Sequence, residues 1–285
     1  MVNTDGVHVL DERHLAGCLE LSQSARWNQN EADWRLMLDI GHGWGITLPD
    51  GALAASTLVL PCGRFAWVSM VLVLPSQRRK GFATRLLRTA LDDLGKRGLT
   101  PILDATPAGR AVYVQEGFVA TWGFRRFELR RALAAPERPA GVRPLRDADW
   151  PQLLALDARA FGASRERLLR ALAARLPAAA LVAEGGAGLE GFLLGRDGRE
   201  ACQLGPLVAR SSQAAQALLA EALAGLRPPL YLDVVDHEPG IAAWLGALGL
   251  EFQRPFTRMV RGAHGAAVAP GEAELVFCPA GPELG

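Results

Sequence analysis

Hydrophobic and polar positions fall into short blocks along the chain, and one block is read most clearly. An apolar run over residues 65–74 stops at Pro75, and a short basic loop, Ser76-Gln77-Arg78-Arg79-Lys80-Gly81, follows. Phe82, Ala83, Leu86, Leu87, Ala90, Leu91 and Leu94 then recur at i, i+3, i+4 spacing. The pattern predicts a buried strand, a loop and an amphipathic helix. Upstream it predicts a strand at 7–10, a helix at 14–24, and a helix from 31 to about 40 capped by Asn30. Strands at 43–48 and 52–60 are set off by Pro49-Asp50-Gly51 and Pro61-Cys62-Gly63. The strand at 65–74 is apolar on both faces, as a central strand should be. Downstream come a strand at 100–105, a helix at 108–116 ended by Gly117, and strand material over 118–129 folded back near Gly123.

A second series of blocks repeats this order. It predicts a strand at 142–145, helices at 150–161 and 168–176, and strands at 180–184, 191–196 and 201–208. A helix at 213–226, a strand at 230–234, a helix at 241–248 and a strand at 252–260 complete it. The Pro- and Ala-rich stretch 134–141 lacks periodicity and reads as a linker between domains 1–133 and 142–285. In the tail, Leu275, Val276 and Phe277 suit an extra strand, with nothing to place it. An offset of 132 aligns the later parts of the halves: Arg78 with Arg210, Leu86 and Leu87 with Leu218 and Leu219, Leu94 with Leu226, Asp104 with Asp236, and Gly117 with Gly249. We read a duplicated domain.

Composition narrows the class. A length of 285 residues suits two domains, and a hydrophobic content of 49% supports sizeable cores. Thirty-one basic residues against 30 acidic ones leave a net charge of +1, which offers no general attraction for nucleic acid. The first twelve residues lack the features of a secretory signal, and the longest apolar run is far short of the ~20 residues that span a bilayer. Cys18, Cys62, Cys202 and Cys278 are scattered without metal-ligand spacing. The expectation is a soluble cytoplasmic protein without a metal and without nucleic-acid or membrane partners.

The loop at 75–81 carries candidate chemistry. A helix N-terminus offers backbone N–H groups without intrahelical partners, and Arg78, Arg79 and Lys80 add charge, so the loop suits an anion such as a pyrophosphate. It is neither a Walker A loop nor a dinucleotide fingerprint, because Gly81 is its single glycine. Its pattern is R-x-x-G-x-A, over Arg78, Gly81 and Ala83. This resembles the acetyl-CoA loop, Q/R-x-x-G-x-G/A, of the GCN5-related N-acetyltransferase (GNAT) superfamily, and the element order of the first half resembles it too. The resemblance implies an α/β fold of two tandem GNAT-like domains, each a mixed, mostly antiparallel sheet flanked by helices.

It further implies acetyl-CoA as co-substrate, its pantetheine arm beside Met70, Val71 and Val73, and its phosphates on the loop from Arg78 through Arg79, Lys80, Gly81, Phe82, Ala83 and Thr84. Tyr113 stands in Y-x-x-x-G-F, which in the resembling family marks the acid that protonates the departing thiolate; a packed core tyrosine is the alternative. Many members place a carboxylate on the strand before the loop, and residues 65–74 contain none. Asp104 is the candidate base or amine anchor, with a turn or helix cap near Thr106 and Pro107 as the other reading. Trp27, Asp33 and Trp34 lie where the family places substrate-covering helices, although helical spacing with Met37 and Leu38 equally suits Trp34 to the core. In the second half Arg165, Asp233, Asp236, His237 and Glu238 form a polar set, of which Asp233 is taken as a substrate contact.

The offset puts Gln213 at the position of Gly81, Ser211 and Ser212 at those of Arg79 and Lys80, and Leu245 at that of Tyr113. The second copy is therefore expected to keep the fold and lose cofactor binding. The activity expected is acetyl transfer to a primary amine, of a small molecule or a peptide, by direct attack in a ternary complex, in a monomer or homodimer. A decayed acyl-CoA sensor or interaction module is the other reading.

Overall fold

The structure is a computed structural model that describes residues 6–132, 139–186, 188–262 and 268–285; most of the stretch 134–141 lies outside these. The first half contains β1 (Val7–Val9), α1 (Leu15–Ser24), α2 (Glu31–Ile40), β2 (His42–Thr47), β3 (Leu53–Cys62), β4 (Phe65–Val73), α3 (Phe82–Lys96), β5 (Thr100–Ala105), α4 (Pro107–Gln115) and β6 (Val119–Leu129). The second half has β7 (Val142–Pro144), α5 (Trp150–Phe161), α6 (Glu166–Arg175), β8 (Leu181–Gly185), β9 (Gly188–Arg196) and β10 (Cys202–Ala209). It continues with α7 (Ser212–Gly225), β11 (Leu230–Val235), α8 (Pro239–Ala247), β12 (Glu251–Val260) and β13 (Val276–Cys278).

Local chemistry explains the boundaries. Asn30 and Asp33 form a reciprocal capping box at the start of α2. Gly117 adopts φ +85°, and the Phe118 N–H reaches back to the Tyr113 carbonyl at 3.0 Å, closing α4. Side chains of β4 alternate: Phe65 and Trp67 enter a core shared with α1, α2, α5 and α6, while Ala66 and Val68 face α3. The shared core contains Leu21, Trp34 and Met37 from the first half and Leu153, Phe192 and Val208 from the second. The two halves are thus packed on common apolar ground.

The sheet order is β1-β2-β3-β4-β5-β12-β6-β11-β10-β9-β8-β7, with β13 added beside β10. The terminal strands of the halves are exchanged: β12 pairs with β5, β6 pairs with β11, and the two pair with each other at the centre. Phe124 and Phe256, 132 residues apart, are register partners with stacked rings at 5.0 Å. They mark an internal pseudo-twofold axis. The expected fold-back near Gly123 does not occur, since β6 runs unbroken. Gly123 is there for a close approach: a Cβ would come within 2.4 Å of Asp236 Oδ2.

The exchange also corrects one alignment. Asp104 pairs in register with Arg258, and Asp233 with Arg126. Arg126 and Arg258 are 132 apart, so the counterpart of Asp104 is Asp233 and not Asp236. Strand β11 begins two residues earlier than a constant offset would place it.

Candidate active site

Strands β4 and β5 run parallel and pair from Phe65 with Thr100 to Trp67 with Ile102, where the pairing stops. Beyond that point β4 stays bonded to β3 on its other edge, while β5 follows β12. A V-shaped opening results, with one edge of β4 unpaired from Val68 onward among the described residues. Ser69 is opposite Leu58 and Leu72 opposite Ser56, so Met70 and Val71 face the single residue Thr57. This is a β-bulge. Met70 takes φ +51°, uncommon for a residue with a side chain, and the Ser56 hydroxyl donates to its carbonyl at 2.7 Å. The bulge frees backbone at the opening.

Strand β4 leads directly into the loop and α3. Arg79 and Gly81 both have positive φ, 63° and 80°, which turns the chain sharply before the helix. Helix α3 has no side-chain cap, and a Cβ on Gly81 would meet nothing within 4 Å. The first-turn N–H groups are thus left without a side-chain cap, at a positive helix end beside Arg78, Arg79 and Lys80. Lys80 Nζ donates to Gln77 Oε1 at 2.8 Å within the loop.

The opening deepens into a narrow cleft lined by residues from both halves. Val68 through Val71, Leu103, Asp104, Thr106 and Tyr113 come from the first half's strands and α4; Trp27, Asn28 and Gln29 from the segment before α2; and Arg126 from β6. Arg254 and Phe256 come from β12, Pro282 and Glu283 from the tail. Burial pushes the Tyr113 hydroxyl up to about 12, and no described residue hydrogen-bonds it. It stays a proton-bearing donor across the neutral range.

Asp104 accepts two hydrogen bonds of 2.9 Å from the Arg258 guanidinium. Burial pushes its carboxyl above the usual carboxylate range, against the opposing pull of Arg258. Arg258 in turn is sandwiched by Trp67 and Trp122, at 4.5 and 4.0 Å from their ring centres. Across the pseudo-axis Arg126 makes the matching bidentate pair with Asp233 at 2.8 and 2.7 Å. Burial, and then the neighbouring Arg126, push the Arg254 guanidinium down. Glu283 binds Arg196, which also binds Asp33, and Asp33 is held by Arg175.

Of the residues expected from sequence, the structure brings Met70, Val71, Asp104, Tyr113 and Trp27 to one cleft. Val73 ends β4, paired with Ala55, between the cleft and the loop. Trp34 is not there: it is fully buried in the shared core, its indole N–H on Ser22 Oγ at 2.9 Å. Asp33 and Asp233 are buried ion-pair partners one arginine away from the cleft. The helix cap near Pro107 is Thr106, not Asp104. Arg165 pairs with Asp157, Asp236 with Arg125, and Glu238 accepts from Ser212, all apart from the cleft lining. Sequence reasoning missed Gln29, Ser69, Arg254 and Glu283. Arg254 and Glu283 carry no local pattern because the exchanged strand and the tail bring them in from far along the chain, and Gln29 and Ser69 lie in stretches the sequence singled out, 27–34 and 65–74, with no signal that marks either residue.

Among the described residues no group of three or more His, Cys, Asp or Glu side chains could hold a metal ion, and no helix is long and apolar enough to cross a membrane.

A family described as "Acetyltransferase (GNAT) family" matches residues 10–118, and one described as "Acetyltransferase (GNAT) domain" matches residues 153–272. An uncharacterized N-acetyltransferase, YitH of Bacillus subtilis, is 25% identical over 235 residues, covering 81% of this chain and 83% of that protein. A putative acetyltransferase from Pyrococcus horikoshii superimposes with a TM-score of 0.80 at 20% identity, over 100% of this chain and 98% of the other. A tandem GNAT protein from the clavulanic acid biosynthesis pathway gives 0.61 at 16% identity, over 93% and 100%. These two show a shared fold. With one GNAT match in each half, the chain belongs to the GNAT superfamily as a tandem GNAT acyltransferase.

Proposed function

We propose that the first half binds acetyl-CoA and that the protein transfers the acetyl group to a primary amine held in the cleft. One observation carries this reading. The unpaired edge of β4 runs from the bulge at Met70 to an uncapped helix N-terminus, with Tyr113 in the same cleft. An extended arm with amide groups can add to that edge as a strand, and a pyrophosphate fits the loop amides and the α3 dipole.

Acetyl-CoA supplies an activated acyl group whose sulfur is the leaving atom. Backbone of Val68 to Val71 would fix the arm, and residues 78–84 would hold the phosphates. The Tyr113 hydroxyl donates to the departing sulfur and regains a proton as the nitrogen sheds one. Its high pKa makes it a steady donor rather than a strong acid. Asp104, with both oxygens on Arg258, acts as a fixed anchor of the cleft wall. No acyl-enzyme is required, so attack is direct in a ternary complex.

Release of free CoA thiol from acetyl-CoA across a panel of primary amines tests the reading, alongside calorimetric titration with CoA. Binding together with amine-dependent release is expected. Binding without release on any amine would support the acyl-CoA sensor instead.

A further inference from the structure

Three residues of the cleft lining each carry a buried polar atom with no hydrogen-bond partner among the described residues: Gln29 Oε1, Ser69 Oγ and Glu283 Oε2. These residues are only 3%, 5% and 2% exposed. An orphaned buried acceptor costs free energy, and three lining one cavity imply a ligand that supplies donors. They come from three separate segments, the one before α2, strand β4 and the tail, so no local turn explains the coincidence. Each can accept, and one is a carboxylate oxygen.

We propose that these atoms form the subsite for the acceptor's ammonium group, with Glu283 as the proton acceptor. The inference rests on the amine-acetylation reading above. A primary ammonium has three N–H donors, matching three acceptors, and its charge is met by Glu283. The other oxygen of Glu283 is fixed by Arg196, itself tied to Asp33. Trp27 lines the same cleft and offers a ring to the cation or its alkyl stem. Ser69 immediately precedes the bulge residue Met70, so the nitrogen is held beside the freed backbone of β4.

The ammonium gives one proton to Glu283 Oε2, leaving a neutral amine. The C–N bond forms as the C–S bond breaks, and the second nitrogen proton replaces the one that Tyr113 passes to sulfur. Products are the amide and the CoA thiol, with one proton later lost from Glu283 to water. The subsite selects unmethylated primary amines, since each N-methyl group removes a donor.

Two measurements test it. In crystals of the full chain with CoA soaked in propylammonium chloride, the nitrogen should lie within hydrogen-bond distance of Ser69 Oγ and Glu283 Oε2. A nitrogen elsewhere, or a cleft without propylammonium, overturns the subsite. In solution, Ser69→Ala should raise the amine KM about tenfold with kcat kept, and Glu283→Gln should lower kcat about a hundredfold, with CoA affinity within twofold of wild type in both. Unchanged amine KM and kcat in these variants overturn the subsite and leave the transferase reading intact. If Glu283→Gln unfolds, Ser69→Ala alone decides. If no amine is acetylated but propylammonium still occupies the three atoms, the transferase reading falls and the subsite stands.

Discussion

The two halves open their sheets at the same place, and among the described residues only one opening is left unfilled. In the first half, β4 and β5 part after Trp67 and Ile102, and nothing among the described residues pairs with the freed edge of β4. In the second half, β10 and β11 part after Leu204 and Leu232. There β13 pairs with Leu207 and Val208. Strand β9 holds the other edge of β10, so β13 occupies the edge that faces β11. The protein's own tail takes the place that an extended ligand arm would take in the first half.

The helix ends differ in the same sense. Helix α3 begins at Gly81 in the left-handed region without a cap, whereas α7 is capped by Ser211, whose hydroxyl accepts from the Ala214 N–H at 3.2 Å. Arg210 donates to the Leu189 carbonyl, and Ser212 to Glu238. Polar groups that lie open in one copy are satisfied internally in the other. The second loop differs from the first in its internal partners as much as in its charge.

The largest effect should come from what the halves share. Removing one partner of a buried ion pair leaves an uncompensated charge, so Asp104→Ala and Asp233→Ala should each destabilise by about 3–5 kcal/mol in denaturant unfolding. If one is benign, the pseudo-symmetry has no energetic counterpart. Next, Tyr113→Phe should lower kcat about a hundredfold with CoA affinity unchanged, since general acids contribute ~10²–10⁴; normal turnover would remove the role. Left-handed backbone costs a residue with a Cβ about 1–2 kcal/mol. Gly81→Val should therefore weaken CoA binding at least about tenfold by calorimetry, while Gln213→Gly leaves it unchanged. Stoichiometry should be one CoA per chain, and two would mean that the second half also binds the cofactor.

Smaller still, Ser211→Ala should cost about 1 kcal/mol of stability through the lost cap, with no change in CoA affinity. The smallest expected effect concerns pH. The Tyr113 pKa is raised, so its folded-state proton is held more tightly than the unfolded one. Its contribution to stability is complete below about pH 10 and fades as pH climbs toward about 12. Activity should show no alkaline loss from Tyr113 below pH 10. A fall between pH 8 and 10 that vanishes in Tyr113→Phe would contradict this.

Much of the fold was legible because its signals are local. Asn30 before Glu31, Gly117 after α4 and the apolar period of α3 place elements within a residue or two of where they stand. Tyr113 and the R-x-x-G-x-A loop were legible for the same reason. Trp34 was ambiguous because helical spacing says which face a side chain shares, and not whether that face meets core or cleft. Gly123 suggested a turn, and its real reason, the approach of Asp236, lies 113 positions away in the chain.

Propensity, periodicity and turn chemistry act over a few residues, so the element order, the repeat of the two halves and the basic loop ahead of α3 can be read along the chain. The exchange of the final strands, the filling of the second opening by β13, and the arrival of Arg254, Glu283 and Gln29 at the first half's cleft emerge only in the folded molecule. Those outcomes depend on which buried edges and charges find partners across the whole molecule. Pairing of that kind leaves no periodic trace in the chain.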